Sequence, residues 1–454
     1  MRRFIPLLCL VAVCVVVSVG VLCLRARQPR DAETYFERGK DLAEAGKHAE
    51  ACEQYAKAVE IDPRHPLACY GWGNALGKLG RFAEACAKYA KAVEIDPSLA
   101  EAYDNWGVAL QELARHAEAS VKHAKAVEIN PRLAGAYSNW GLALGAMGKP
   151  AEACEKFADA VEINPRLAPA YCNWGCALLR VRKPAEACEK FAKAVEINPR
   201  SAMANYSWGN ALANLGRFAE ACRKYAKAVE IDPRLAQAHD NWGVALREMG
   251  RSAEACEKYA KAVEIDPRCT EAHQNWGLAL SDMGKPAEAC EKYAKEVEIN
   301  PRHAYAYHDW GVDLERLGRY AEACEKYAKA VEIDPRHPLA HYGWGNALRE
   351  LGRYAEACEK FAKAVQINPQ YPGAFGNWCK ALVALGRYPE ACENYAKAVG
   401  MNPLDAEAHY DWGVTLALMG KRAEAEEKWS KAAELSPALK PQIDRMRKEL
   451  LGKE

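Results

Sequence analysis

The sequence predicts an all-α fold, a right-handed superhelical α-solenoid of about twelve 34-residue helix-turn-helix units closed by a C-terminal capping helix. Three observations predict it. Tryptophan recurs at Trp72, Trp106, Trp140, Trp174, Trp208, Trp242, Trp276, Trp310, Trp344, Trp378 and Trp412, at a constant interval of 34 residues. Proline closes each unit in the same register, from Pro63, Pro97 and Pro131 through to Pro437. Between these marks apolar residues return at steps of 3, 4 and 7, the period of one helix face. A unit repeated this strictly stacks on its neighbours and buries a continuous core, so chain length counts repeats and not separate domains.

In chain order the first element is residues 1–31. After Met1-Arg2-Arg3, Phe4 to Leu24 carry no charge, and as a helix they would span about 31 Å, the thickness of a bilayer's hydrocarbon core. This predicts a single-pass N-terminal membrane anchor through residues 4–24, followed by a short basic linker. Ser18-Val19-Gly20 offers a small-x-small cleavage pattern, so a cleaved signal peptide is the alternative. A cleaved signal, or an anchor with its amino terminus inside, places the repeats on the extracytoplasmic side, periplasmic or luminal; the flanking arginines are nearly balanced and the many thiols would suit a reducing compartment, so the cytoplasmic side is the alternative.

Residues 32–439 hold the twelve units. In residues 236–269, Ala238, Trp242, Ala245 and Leu246 form one apolar stripe, Gly250 breaks the first helix, and Ala255, Tyr259, Ala262 and Val263 form the second stripe before Pro267. Glycine stands where the chain must take φ > 0 to turn. Each tryptophan lies in the first stripe, which predicts a core role and a cost of ~3–5 kcal/mol for Trp242→Ala. Residues 440–454 leave the repeat pattern, and Ile443, Met446, Leu450 and Leu451 form a narrow stripe that predicts the capping helix.

These residues resemble the tetratricopeptide repeat family over about nine-tenths of the chain. In one unit the signature is Tyr103, Trp106, Gly107, Ala119, His123, Ala126 and Pro131. Tryptophan stands where the family commonly has leucine. Arg38 replaces the tryptophan of the first unit, Cys379 the glycine beside it, Arg182 the turn glycine and Glu296 a core alanine. The resemblance implies a concave surface lined by the first helices and a partner held along it.

Composition narrows the function. Lys+Arg 62 against Asp+Glu 61 leaves a net charge of +1, so no basic face is offered to nucleic acid. Ten of the 18 cysteines, from Cys52 and Cys86 to Cys392, share one place in their units. Stacked equivalents lie about 8–10 Å apart, beyond disulfide reach, so they read as small buried hydrophobes. Cys172 and Cys176 could give two metal ligands but have no matching pair. No phosphate loop, His-Glu-x-x-His or nucleophile elbow is present. The expectation is no enzyme, no cofactor, no metal and no small-molecule substrate.

Asparagine stands just before tryptophan at Asn105, Asn139, Asn173, Asn241, Asn275 and Asn377. Such a row can hold an extended peptide by its backbone, since each amide both donates and accepts. It is similar to the asparagine ladder in the repeats of protein O-linked N-acetylglucosamine transferase, and implies a binding mode and not that activity. Three units four repeats apart instead carry Tyr70 with Asn74, Tyr206 with Asn210 and Tyr342 with Asn346. This 136-residue super-period reads either as block duplication or as regularly spaced partner contacts. The sequence thus predicts a membrane-tethered scaffold for a protein or extended peptide partner. The alternatives are a regulatory or substrate-recruiting arm of an enzyme complex and a self-assembling structural repeat.

Overall fold

The computed structural model describes residues 31–452. Among them the chain is all-α, and twelve helix pairs follow one another from Ala32–Glu44 with His48–Ile61 to Ala406–Leu418 with Arg422–Leu435. First helices have 13 residues and second helices 14, as in Ala236–Glu248 and Ser252–Ile265. A short 3-10 turn, Pro437–Leu439, leads into the last helix, Lys440–Leu450. Positions are counted below from the first residue of each unit, so that Ala236 is position 1, the glycine after tryptophan position 8 and the proline position 32.

Local chemistry sets these boundaries. At the end of Ala236–Glu248 the Gly250 amide donates to the Arg247 carbonyl at 2.9 Å and the Arg251 amide to that of Leu246 at 2.9 Å, the paired bonds of a Schellman cap. Gly250 takes φ +73° to make them. The second helix stops before Pro267, and the Asp266 carboxylate accepts the Arg268 amide at 3.0 Å to close the turn. Ala114 and Arg182 adopt the same left-handed conformation without being glycine, at φ 57° and 60°.

The chain divides into two compact units that separate between Arg217 and Phe218. The first holds five repeats and the helix Ala202–Asn214. The second begins with Phe218–Ile231 and continues through the last helix. Within each, successive first helices touch one another, as Pro66–Lys78 touches Ala100–Glu112 and Ala304–Arg316 touches Pro338–Glu350.

The deepest core residue is not the tryptophan. It is the aromatic at position 24: Tyr225, Tyr259, Tyr293, Tyr327, Phe191 and Phe361 are almost wholly buried, and Trp429 takes this place in the last repeat. The rings of Phe191, Tyr259, Tyr293, Tyr327, Phe361 and Trp429 each lie on the glycine of their own repeat. A Cβ on Gly243 would come 2.5 Å from the Tyr259 ring, and one on Gly413 2.5 Å from Trp429. No room is left beneath these rings for a Cβ, which explains glycine at position 8 in these repeats; in the eleventh repeat Cys379 stands there, itself wholly buried. The tryptophans at position 7 are half-buried throughout, which corrects their expected place at the centre of the core. Each packs on its edge, and Lys88, Lys122, Lys190, Lys258, Lys292, Lys326 and Lys360 lie over Trp72, Trp106, Trp174, Trp242, Trp276, Trp310 and Trp344 with Nζ 3.5–4.3 Å from the ring centre.

The regularly placed cysteines follow the same register. Cys52, Cys86, Cys290, Cys324 and Cys358 are buried, and burial pushes their thiols above the usual range. In the third repeat serine takes this place, and the Trp140 indole N–H donates to Ser120 Oγ at 2.8 Å. At the C-terminal end, Ile443 is 2% exposed and packs with Leu416, Ala417, Trp429 and Ala432. Glu296, at a position where other repeats have buried alanine, is itself wholly buried, and its carboxylate lies 2.5 Å from His303 Nδ1.

The expected membrane localisation is corrected. Residues 4–24, read as the anchor, lie outside the described residues, and among the described residues no helix is long and apolar enough to cross a membrane. A 14-residue helix measures about 21 Å against a core of about 30 Å. Among the described residues nothing supports membrane attachment or an extracytoplasmic side, and neither is retained.

Candidate protein-binding site

Polar residues at positions 5, 6 and 9 of the first helices meet across repeat boundaries. The spacing explains why: position 6 of one repeat lies beside positions 5 and 9 of the repeat before it. Asn105 Nδ2 donates to the Tyr70 hydroxyl at 3.1 Å and to Asn74 Oδ1 at 2.9 Å. Asn74 Oδ1 also accepts the Tyr89 hydroxyl at 2.8 Å. Eight repeats later the arrangement returns, with Asn377 Nδ2 donating to the Tyr342 hydroxyl at 2.8 Å and to Asn346 Oδ1 at 2.9 Å. Arg349 donates to the remaining Asn377 oxygen at 3.0 Å. In the last repeats an ion pair takes the same place, Lys380 Nζ lying 3.4 Å from Asp411.

In two of the repeats between these triads the partner is an acid. Asn139 Nδ2 lies 3.2 Å from both oxygens of Asp104, and Asn275 Nδ2 donates to Asp240 at 3.1 Å. Asp104 is also joined to buried His123 at 2.7 Å. Burial pushes the Asp240 carboxyl above its usual range, and the Asn275 amide acts against it. Tyr206, Asn210 and Asn241 each have a partner of their own. Asn173 lines a smaller groove of about 230 Å³ with Cys172, Asn198 and Ser201.

The row therefore differs from the ladder expected of it. The amide hydrogens of Asn105, Asn139, Asn275 and Asn377 are directed at neighbouring repeats, so these side chains first tie the stack together. Donor capacity toward a ligand is largely spent. What stays accessible in the first triad is a groove of about 540 Å³ lined by Asn74, Gly77, Lys78, Phe82, Tyr89, Asn105, Val108, Ala109 and Glu112. Its depth comes from Gly77, where an added Cβ would have only the Tyr89 hydroxyl nearby, at 3.8 Å. In the fourth repeat the equivalent Gly145 is covered, because Arg180 reaches across to donate to its carbonyl at 2.6 Å. The floor is apolar and its rim carries one base and one acid, which suits a side chain with a peptide backbone beside it.

Sequence reasoning found Tyr70, Asn74, Asn105, Tyr342, Asn346 and Asn377 but treated them as parallel, not joined. It missed Asp104, Asp240, Tyr89 and the open Gly77. A spacing of 35 residues between position 5 and the next position 6 was the available signal. Among the described residues no group of three or more His, Cys, Asp or Glu side chains is placed to hold a metal ion.

Models of the tetratricopeptide repeat match residues 172–236, 308–372 and 378–440, residues 32–65 and 236–269, and, as a TPR repeat, residues 73–113. Together they cover well over half of the chain. The chain belongs to the tetratricopeptide repeat family. Repeats of this family generally mediate protein–protein interaction or scaffolding. Among solved structures, the chain is similar to YrrB, described as a TPR protein with an unusual peptide-binding site, at 29% identity and a TM-score of 0.36, over 41% of this chain and 96% of that one. It is similar to MamA at 24% identity and a TM-score of 0.34, over 36% and 94%. It is also similar to a chain of the APC/C hetero-tetramer Cut9-Hcn1 at 13% identity and a TM-score of 0.45, over 94% and 98%. No curated protein matches the chain. The family assignment rests on the repeat models.

Proposed function

We propose that this chain is a scaffold that binds a partner protein through an extended segment, and that the groove beside the Tyr70, Asn74 and Asn105 triad is where one side chain of that segment seats. The observation that carries the reading is the open space over Gly77 between Phe82, Tyr89 and Val108. The triad fixes the groove walls, Asn105 presents its oxygen to a peptide N–H, and Lys78 and Glu112 flank the segment. The other asparagines, Asn139, Asn173, Asn241 and Asn275, continue the row within their own units as further acceptor positions.

The test uses Gly77→Leu. Leucine fills the groove and raises helix propensity by about 1 kcal/mol, so the melt should hold or rise while binding is lost. Extended peptides selected from a random library against the full chain serve as the probe, with Kd measured for each variant. Asn74→Ala alone should weaken binding less than about tenfold, since one amide contact is worth ~0.5–1.5 kcal/mol. Peptides that bind Gly77→Leu as tightly as the unaltered chain would refute the groove.

A further inference from the structure

Two charges of opposite sign stand on the rims of the groove over Gly77, and the chain neutralises neither. Lys78 ends the helix Pro66–Lys78, and Glu112 ends the next first helix, Ala100–Glu112. Both are exposed and both line the groove. Among the described residues neither has an ion-pair partner, although charges close by in the chain are paired, Arg81 with Glu84 at 2.6 Å and Arg115 with Glu118 at 2.7 Å. Positions 12 and 13 behave otherwise in the second compact unit. There Arg247 Nε lies 2.7 Å from Asp282. At the second triad Arg349 stands where the first has the open Gly77, and it donates to Glu350 at 2.6 Å and to Asn377 at 3.0 Å. The triad is repeated, but the open seat with two unspent charges is not repeated with it.

We propose that the groove selects partner segments in which a large aromatic side chain is flanked, two residues away on either side, by an acid and by a base. The selection rests on the groove being the seat of one side chain of an extended segment. The ring is favoured by the walls. Phe82 and Tyr89 present two aromatic side chains beside Val108 in a space of about 540 Å³. Tyr89 is held in place by Asn74 at 2.8 Å and by the tilted Tyr70 ring, whose centre is 6.2 Å away. An incoming ring meets such walls edge-on or offset at about 4.5–7 Å, the spacing that aromatic pairs prefer, and buries about 150–250 Å² in doing so.

The flanking charges follow from the geometry of an extended chain. First helices of successive repeats stand about 8–10 Å apart. A segment crossing them turns every second side chain to the same face and advances about 3.3 Å per residue, so the residues two before and two after the seated ring lie about 13 Å apart. Lys78 and Glu112 reach them by leaning outward from their helix ends. The acid meets Lys78 and the base meets Glu112, so the charge order of the segment fixes the direction in which it crosses the groove. Pairs of this kind are exposed and screened by salt; loss of one should weaken binding about twofold to fivefold, and reversal of one charge about threefold to tenfold.

A library of extended peptides, randomised at every position, is selected on the unaltered full chain and on Lys78→Glu, Glu112→Lys and Gly77→Leu. Peptides enriched on the unaltered chain should carry Phe, Tyr or Trp with Asp or Glu two residues to one side and Lys or Arg two residues to the other. On Lys78→Glu the acid should give way to a base, and on Glu112→Lys the base to an acid. In titrations of one enriched peptide, Lys78→Gln and Glu112→Gln, which remove a charge without reversing it, should each raise Kd about twofold to fivefold, a difference that shrinks at ~0.5 M salt. Circular dichroism melts check that each variant remains folded. Flanking preferences unchanged on either charge-reversed variant, or an aliphatic residue enriched at the seat, would overturn the selection; the groove itself would still stand if Gly77→Leu abolished binding. Peptides that bind Gly77→Leu as tightly as the unaltered chain would overturn the groove and the selection together, as would a library from which no peptide is enriched.

Discussion

The aromatic at position 24 and the tryptophan at position 7 divide their work by burial. Tyr259 is wholly buried on Gly243, so Tyr259→Ala should cost ~3–5 kcal/mol in chemical denaturation. Trp242 is half-buried beneath Lys258, and Trp242→Ala should cost less, ~2–3 kcal/mol, below the value its periodic position suggested. The Tyr259 hydroxyl has no partner although it is buried. Tyr259→Phe should therefore be neutral or raise stability by about 1 kcal/mol, as Phe157, Phe191 and Phe361 at the same position indicate. Glu296 supplies a pH-dependent term. Burial raises its carboxyl to about 7, with His303 acting against the shift. A carboxyl raised in the folded state contributes its stability at pH below the unfolded value and loses it as pH climbs through the folded one. Between pH 5 and 8 the chain should lose up to roughly 3 kcal/mol relative to Glu296→Gln, measured as the difference between the two denaturation profiles. A constant difference across that range would show that Glu296 does not titrate there.

Within a helix pair the turn is the least forgiving part. Ten repeats with glycine there place it at φ from 70° to 77°, whereas Ala114 and Arg182 hold a left-handed backbone with a Cβ attached. Ala114→Gly and Arg182→Gly should each stabilise the chain by about 0.5–1 kcal/mol, the relief of strain exceeding glycine's entropy loss, and a calorimetric melt would show it as a raised Tm. The opposite holds at position 8, where Gly243→Ala should cost about 1–3 kcal/mol because the Tyr259 ring must move. Helix existence and order were legible in the sequence: Gly250, Pro267 and the stripe of Ala238, Trp242, Ala245 and Leu246 marked both helices and where each stops. The turn strain at Ala114 was not, since alanine gives no sign of an unusual φ until a backbone is built.

Within each compact unit a repeat covers its neighbour, and stability is close to a sum of repeats and their interfaces. The last interface is covered by Lys440–Leu450, where Ile443 fills the space beside Trp429. Ile443→Asp should expose that apolar surface and cause concentration-dependent association, visible in light scattering. An unchanged monomer would mean the helix is dispensable as a cover. Of the candidate site, the sequence showed the asparagines and the tyrosines four repeats apart. It did not show that Asn105 spends both amide hydrogens on Tyr70 and Asn74, nor that Gly77 opens while Gly145 is covered by Arg180, because each depends on residues 31–35 positions away in the chain.

By itself the sequence determined the all-α repeat, its 34-residue period, the two helices of each unit and the family, because those follow from local periodicity, glycine and proline. Tertiary structure alone decided which aromatic is the core, which amides are already bonded and which groove is open. Those properties belong to pairs of residues on neighbouring repeats, and a one-dimensional pattern states that a residue recurs without stating what its recurrence meets.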